Sequence, residues 1–385
     1  MADILRTYGE AYRRSRGKRL SPAERKALRD LTCCRTSALG GHAWECQDCG
    51  HVQVCYNSCR NRHCPTCGGP ARAKWLNRLT ADLLPTHYFH LVFTLPHELS
   101  RLALANRKEV YGLLFRAAWE ALRDTARDPQ HLGAQLGAVM VLHTWGQNLE
   151  HHPHVHCVAP GGGLSPDGKR WVPSRSPRFF LDVFVLGERF RTKFLAGLKR
   201  LHRQGKLKLE EKLAELASPS AFLRWLHPLA EKNWVVFCEA APEGVSGPDA
   251  VLKYLARYVA GPAISDHRLL AHEGGQVTFR IKDYRQGRKR DTLSLSGEEF
   301  VRRFCLHVLP KGLVRVRSFG LMAPGRRRRL VAQCRTLLAQ RAANQSAANP
   351  PPTSPEPPPK LTLSAQSRAS NPITSPLRDS VQRVF

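Results

Sequence analysis

Residues 150–163 read Glu-His-His-Pro-His-Val-His-Cys-Val-Ala-Pro-Gly-Gly-Gly, and further downstream stands Tyr254-Leu-Ala-Arg-Tyr258. In an extended strand alternate side chains share a face, so His154 and His156 point one way and Val155 and Cys157 the other. Two imidazoles then converge on one point. On a helix the i, i+4 spacing stacks Tyr254 above Tyr258. A divalent cation between such imidazoles polarises a phosphate oxygen and stabilises the charge growing on phosphorus. A phenol, once positioned and freed of a proton it ordinarily holds to about pH 10, can attack phosphorus and form a phosphotyrosine ester. That ester keeps the bond energy, so a strand can be rejoined without a nucleotide cofactor, and two tyrosines permit two such events. Imidazole suits zinc, copper or nickel, whereas phosphate chemistry usually runs on magnesium or manganese, so the pair needs a third polar ligand. His152 has the right parity, although Pro153 interrupts the alternation, and Gln147 or Glu150 could reach. Tyr254 and Tyr258 share their stripe with Val251 and Leu255, as a core aromatic pair would, so their catalytic reading draws on the rest of the chain.

Cys46-x2-Cys49 and Cys64-x2-Cys67 form two knuckles at a spacing close to that of a zinc ribbon, enough for a four-thiolate site. Cys34, His42, Cys59 and His63 interleave with them and could bind a second zinc, with Cys33, Cys55 and His51 equally available by spacing. Closed sites of this kind are structural, so the module is expected to grip DNA and not cut it. Arg60, Arg62, Arg72 and Lys74 beside it suit that role.

These residues need elements to position them. Ser21-Pro-Ala-Glu24 is a helix-start signal within a helical lead-in over 1–31. Residues 32–80 form the zinc-binding module, too poor in apolar residues to hold together without metal. Over 81–325 the pattern is that of a globular domain. Strands are expected over 87–96, 137–144, the histidine segment, 234–240, 277–282, 292–296 and 313–319, with a hairpin through Arg285-Gln-Gly-Arg-Lys and a helical insertion at 187–227. The tyrosine helix opens near Pro248 and closes at Gly261-Pro262. Residues 326–385, which begin with Arg326–Arg329 and become rich in Pro and Ser, read as a disordered tail.

Lys and Arg outnumber Asp and Glu by 60 to 31 in 385 residues, a net charge of +29, and such a field recruits a polyanion, most commonly nucleic acid. No apolar run approaches a membrane span and the start lacks the apolar segment of a signal peptide. The chain is therefore expected in the cytoplasm, at the nucleoid. Eight of the twelve cysteines fall between Cys33 and Cys67, which in a reducing compartment favours metal over disulfides.

Several segments resemble one family closely. Cys-Arg-Thr-Ser-Ala-Leu-Gly-Gly-His (34–42) and Tyr-Asn-Ser-Cys-Arg-Asn-Arg-His-Cys-Pro-Thr-Cys (56–67) are similar to the zinc-binding region of the two-tyrosine HUH transposases of rolling-circle insertion sequences, the IS91-type family. His-Thr-Trp-Gly-Gln-Asn-Leu (143–149), His-Pro-His-Val-His-Cys (152–157), Tyr-Leu-Ala-Arg-Tyr (254–258) and His-Val-Leu-Pro-Lys-Gly (307–312) resemble its catalytic domain. The resemblance implies an α+β fold whose HUH core is an antiparallel sheet flanked by helices, with the histidines on a central strand. It also implies His154 and His156 as ligands of magnesium or manganese, Tyr254 and Tyr258 as nucleophiles, structural zinc, and single-stranded DNA as substrate. A replication initiator or relaxase would use the same chemistry; a zinc-dependent DNA-binding regulator would bind DNA and leave it uncut. No phosphate-cradling Gly-x-x-x-x-Gly-Lys-Ser/Thr occurs to favour a helicase-linked initiator.

Overall fold

The structure, a computed structural model, describes residues 1–240, 261–283 and 289–348. Two helices open it, α1 (Ala2–Arg16) and α2 (Pro22–Thr32). At the start of α2 the Ser21 hydroxyl accepts from the Glu24 amide at 3.2 Å and the Glu24 carboxylate accepts from the Ser21 amide at 2.8 Å, the reciprocal cap the sequence announces. A hairpin of β1 (Gly41–Glu45) and β2 (Val52–Tyr56) follows, and α3 (Gly69–Thr80) carries the chain to the main sheet.

That sheet is five-stranded and antiparallel, in the order β12-β4-β5-β3-β8. Its strands are β3 (Tyr88–Thr94), β4 (Gly137–Trp145), β5 (His151–Pro160), β8 (Val236–Ala240) and β12 (Val316–Gly320). A ribbon of β6 (Gly162–Leu164) and β7 (Trp171–Pro173) extends from the end of β5. The α+β class and the central position of the histidine strand are as expected.

Alternation divides the sheet into two unlike faces. Leu91 and Phe93, Met140 and Leu142, Val155 and Cys157 are buried in one core with α4 (Ser100–Ala105), α5 (Arg107–Arg127) and α6 (Val183–Arg203). Val110, Leu113, Leu114, Ala117, Ala118, Ala121 and Leu122 recur at helical spacing along α5 and line its buried side. Gly197 lets α6 lie against α5, since a Cβ there would come within 2.2 Å of Leu113 Cδ1. Phe190 and Phe194 of α6 and Leu226 of α7 (Pro219–Glu231) belong to that same core, so the helices expected as an insertion at 187–227 form a layer of the main domain. The opposite face carries His143, His154, His156 and His90, and its far end is covered where Leu79 of α3 and the following Leu83 meet Tyr88, Val139 and Val158.

A second core joins α1 and α2 to α8 (Gly297–Leu306) and to a three-stranded sheet of β9 (Leu269–Glu273), β10 (Gln276–Asp283) and β11 (Lys289–Ser296). The lead-in at 1–31 is thus packed on residues from the far end of the chain, with Leu5, Leu28, Phe279 and Phe300 all buried together. The turn of the expected hairpin, 284–288, lies outside the described residues. The expected disordered tail at 326–385 needs correction over its first part, and residues 349–385 lie outside the described residues. Arg327–Ala348 is a helix, α9, whose Val331 and Cys334 are buried against Leu84, Leu164, Trp171 and Leu321, while Arg335 donates to the Leu83 carbonyl at 3.0 Å. Its one apolar stripe is diluted by arginine, alanine and glutamine, which hides it in composition. No described helix is long and apolar enough to cross a membrane.

Two imidazoles, His151 half-buried and His307 buried, pin the β4–β5 hairpin. His151 sits between the Ser100 hydroxyl and the Tyr111 hydroxyl, the latter at 2.7 Å. His307 of the α8 end meets the Thr144 hydroxyl at 3.1 Å and donates to the Leu149 carbonyl at 3.0 Å. Burial pushes His151 down to about 3 and His307 down to about 4. Because these folded-state values lie below the ordinary 6.5, the unfolded chain takes up protons first. The stabilisation is complete above about pH 6.5 and is lost as pH falls toward 4, at roughly 1.4 kcal/mol per pH unit for each ring. Urea unfolding should therefore give a lower midpoint at pH 5 than at pH 7, and His307→Gln should reduce that difference. Gly320, at φ +58° with its would-be Cβ 2.0 Å from the Leu136 carbonyl oxygen, ends β12 in a turn closed to other residues. Gly320→Ala is expected to cost at least about 2 kcal/mol in the same experiment.

Candidate active site and metal centres

On the face of the sheet turned away from α5 and α6, β4 and β5 pair so that His143 stands directly opposite His154 and Val141 opposite His156. One ring nitrogen from each of His143, His154 and His156 lies within 4.8 Å of the others. The Nε2 atoms of His154 and His156 face each other at 3.1 Å, the spacing of two nitrogens each about 2.1 Å from a shared ion. The Nδ1 of His154 is 2.7 Å from the His152 carbonyl. A carbonyl only accepts, so Nδ1 carries the proton and Nε2 keeps its lone pair. The Nε2 of His143 is buried with no hydrogen-bond partner among the described residues, and an orphaned polar atom of this kind is costly unless something else occupies its lone pair.

Burial keeps these rings neutral. It pushes His154 down to about 3 and holds His143 and His156 well below their ordinary value, and the positive charge any neighbour would carry acts in the same direction. Neutral imidazoles whose ring nitrogens converge are a donor set for a divalent metal. The ring of His143 is stacked on Trp145 with centroids 4.4 Å apart, and the Arg315 guanidinium lies 5.0 Å over Trp145.

His143 is the member that sequence reasoning overlooked. His152 instead offers its main-chain carbonyl to His154 and leaves its ring exposed. Gln147 lies in the turn beyond β4, where its carbonyl accepts from Arg268. Glu150 faces Arg303 across 3.9 Å. The signal for His143 was available in the pairing of a strand ending at Trp145 with one beginning at His151, but it needed the register of that hairpin. Tyr254 and Tyr258 lie outside the described residues.

The cysteines group differently from the expectation. Cys34, Cys59, Cys64 and Cys67 converge within 4.8 Å, with Cys59 and Cys67 sulfurs 3.4 Å apart and Cys34 and Cys64 sulfurs 3.7 Å apart. Those separations fit four thiolates about 2.3 Å from one zinc. The Cys64–Cys67 knuckle therefore pairs with Cys34 and Cys59 and not with Cys46 and Cys49. The latter two sit at the exposed tip of the β1–β2 hairpin, where backbone amides of Cys49 and Asp48 lower the Cys46 thiol. Among the described residues no third ligand joins them in a comparable cluster. His42 lies on β1 opposite Cys55. His63 uses its Nε2 to accept from the Leu309 amide at 3.3 Å, which removes that lone pair from any metal.

Arg62, expected to contact DNA, donates instead to the carbonyls of Leu313 at 2.8 Å, Pro310 at 2.9 Å and Leu309 at 3.2 Å, and so ties the cysteine module to the segment before β12. Arg60 and Lys74 are exposed, and the side chain of Arg72 lies outside what is described.

Residues 137–329 match the family model described as "Putative transposase", and residues 4–95 match the one described as "Transposase zinc-binding domain". The chain is 50% identical over 338 residues to "Putative transposase y4qJ" of Sinorhizobium fredii, spanning 88% of this chain and 84% of that protein. It is 28% identical over 321 residues to the transposase for insertion sequence element IS801 of Pseudomonas savastanoi pv. phaseolicola, spanning 79% and 71%. No solved structure matches it. With a four-thiol cluster in the first matched region and a three-imidazole cluster in the second, the chain belongs to the IS91-type transposases that carry an N-terminal zinc-binding domain.

Proposed function

We propose that this transposase nicks single-stranded DNA through Tyr254 or Tyr258 at a divalent cation, manganese or magnesium, held by His143, His154 and His156. A donor set of three nitrogens favours manganese of the two. When bound, the cation supplies charge stabilisation at a phosphate oxygen. The tyrosine gives up its phenolic proton and its oxygen bonds to phosphorus. The bond from phosphorus to the 3′ oxygen breaks, that oxygen takes a proton, and the 5′ end stays on the enzyme as a phosphotyrosine. The second tyrosine repeats the step at another site, and each free 3′ hydroxyl can reverse it on a new partner, which transfers the strand.

The observation that carries this reading is the convergence of three neutral imidazoles on one face of the sheet, one of them with a buried nitrogen that has no hydrogen-bond partner among the described residues. Further support comes from how the chain flanks the tyrosine segment. It leaves from β8, the neighbour of β3, and re-enters at Gly261, whose carbonyl accepts from Arg315 at 2.7 Å. Arg315 also donates to the carbonyl of Leu142, the residue before His143, at 3.1 Å. A cavity of about 190 Å³ lined by Arg62, Trp145, His307 and Arg315 adjoins the site with the charge a DNA strand needs. Cys34, Cys59, Cys64 and Cys67 are proposed to hold the structural zinc, with Arg60 and Lys74 toward the DNA.

Incubation with single-stranded oligonucleotides from the element ends and manganese should give a covalent adduct on a denaturing gel. The adduct should vanish in the Tyr254→Phe plus Tyr258→Phe variant, and His143→Ala should slow nicking by on the order of 100-fold or more while DNA binding persists. An adduct indifferent to both tyrosines refutes the mechanism, and binding without any adduct leaves the regulator reading. Removing zinc with a strong chelator should lower the thermal midpoint of the whole protein, because Cys34 and Cys64 are part of the core shared with α8 and β10. An unchanged midpoint would count against the four-thiol site.

A further inference from the structure

His90 takes no part in the chemistry described so far. It is buried on β3, and its ring lies almost coplanar with that of His156, at 5° between planes and 5.0 Å between centroids. Its Nε2 is 2.8 Å from Nδ1 of His156. An imidazole binds a cation only through a nitrogen that bears no proton. Since the Nε2 of His156 is the atom turned toward His154, a ligating His156 must carry its proton on Nδ1, facing His90.

We propose that His90 is a positioning residue that sets the tautomer of His156, accepting the Nδ1–H of His156 at its own unprotonated Nε2 and so leaving the Nε2 of His156 open to the cation. The inference rests on the metal reading above. Its interest lies in the contrast with His154, whose Nδ1 faces a carbonyl. A carbonyl permits one tautomer only. An imidazole partner permits two: if His90 instead carries its proton on Nε2 and donates to His156, the His156 proton moves to Nε2 and the ligand is closed. Outer partners of metal-bound histidines act through this control of ring orientation and proton position. The place of His90 in the sheet is set by its register, opposite Val158 on β5 and opposite Glu239 on β8, with the Phe237 ring edge-on to it at 6.2 Å. That packing fixes the ring plane that makes the 2.8 Å contact.

The test is manganese affinity of the full-length protein, read from the electron paramagnetic resonance signal of free ion. Wild type should bind manganese, and His154→Ala should abolish the tight site. His90→Leu, similar in bulk but without an acceptor, should weaken binding about 10- to 100-fold. His90→Gln, whose carbonyl oxygen can accept the same proton, should restore most of it. Wild-type affinity in His90→Leu overturns the inference, as does a His90→Gln variant as weak as the leucine one, which would make the role one of packing. Manganese binding unaltered by His154→Ala overturns the metal reading and this inference with it. Should the leucine variant fail to fold, nitrogen-15 shifts of labelled histidine in the wild-type protein decide the matter: His156 protonated on Nδ1 upholds the proposal, and His156 protonated on Nε2 overturns it.

Discussion

The site depends on a constraint that is easy to state: unprotonated imidazole nitrogens must point at one another and stay unprotonated. In the proposed site the Nε2 atoms of His154 and His156, 3.1 Å apart, are both free of protons, which burial favours by opposing charge on both rings and which the partner at each Nδ1 allows. Without those partners a proton could move to the facing side of a ring, and the pair would become an ordinary histidine–histidine hydrogen bond. The sheet supplies the constraint. Strand parity brings the two rings to one face, the β4–β5 register adds His143, and β3 adds the acceptor at His90. Four side chains from three adjacent strands are therefore fixed by backbone pairing before any contact with DNA.

A sheet can devote one face to such rings only if its other face is secured. Here the apolar alternates of the same strands lie in a single core with α5 and α6, so each strand that carries a histidine on one face carries Leu, Phe, Val, Met or Cys on the other. The two functions of β5 are inseparable in this sense: a shift of one residue in register would turn the imidazoles toward α5 and α6 and bring Val155 and Cys157 to the histidine face. His151 and His307 hold the hairpin that defines this register by bonding to α4, α5 and the turn at Leu149, and they do so as neutral rings. Acid therefore acts on the scaffold and on the ligands through the same group type.

What could be read from the chain followed how local the determinant is. Parity along one strand is local, so the convergence of His154 and His156, the strands around them and the capped start of α2 were all legible. His143 was not, because its relation to His154 exists only across a hairpin whose turn, with Leu149 at φ +61°, sets the pairing. The cysteine spacing was legible as metal binding but not as a ligand set: two knuckles in sequence suggest a partnership that the β1–β2 hairpin prevents by carrying Cys46 and Cys49 to its tip. Arg62 was misassigned for a similar reason. A basic residue beside a zinc module looks like a DNA contact until three carbonyls from residues 309–313 are found around it. The helix at 327–348 was hidden because its burial rests on a few side chains meeting β6 and β7, with no strong apolar pattern to mark it.

Arg62 also bears on how the two halves of the molecule act together. Its guanidinium and the His63 ring both bond the 309–313 segment, which leads directly into Arg315 and β12, and Arg315 in turn touches Gly261, Leu142 and Trp145. Trp145 stacks on His143. A continuous set of contacts thus runs from the residues flanking Cys64, through one loop, to a ring of the histidine site. The zinc-binding region is in this respect a support for the sheet, since the loop that Arg62 gathers is the one that presents Arg315. Among the described residues the Arg62 guanidinium meets these carbonyls and the His63 ring and no carboxylate; carbonyls satisfy its geometry without cancelling its charge, so the side chain braces the loop and stays a cation.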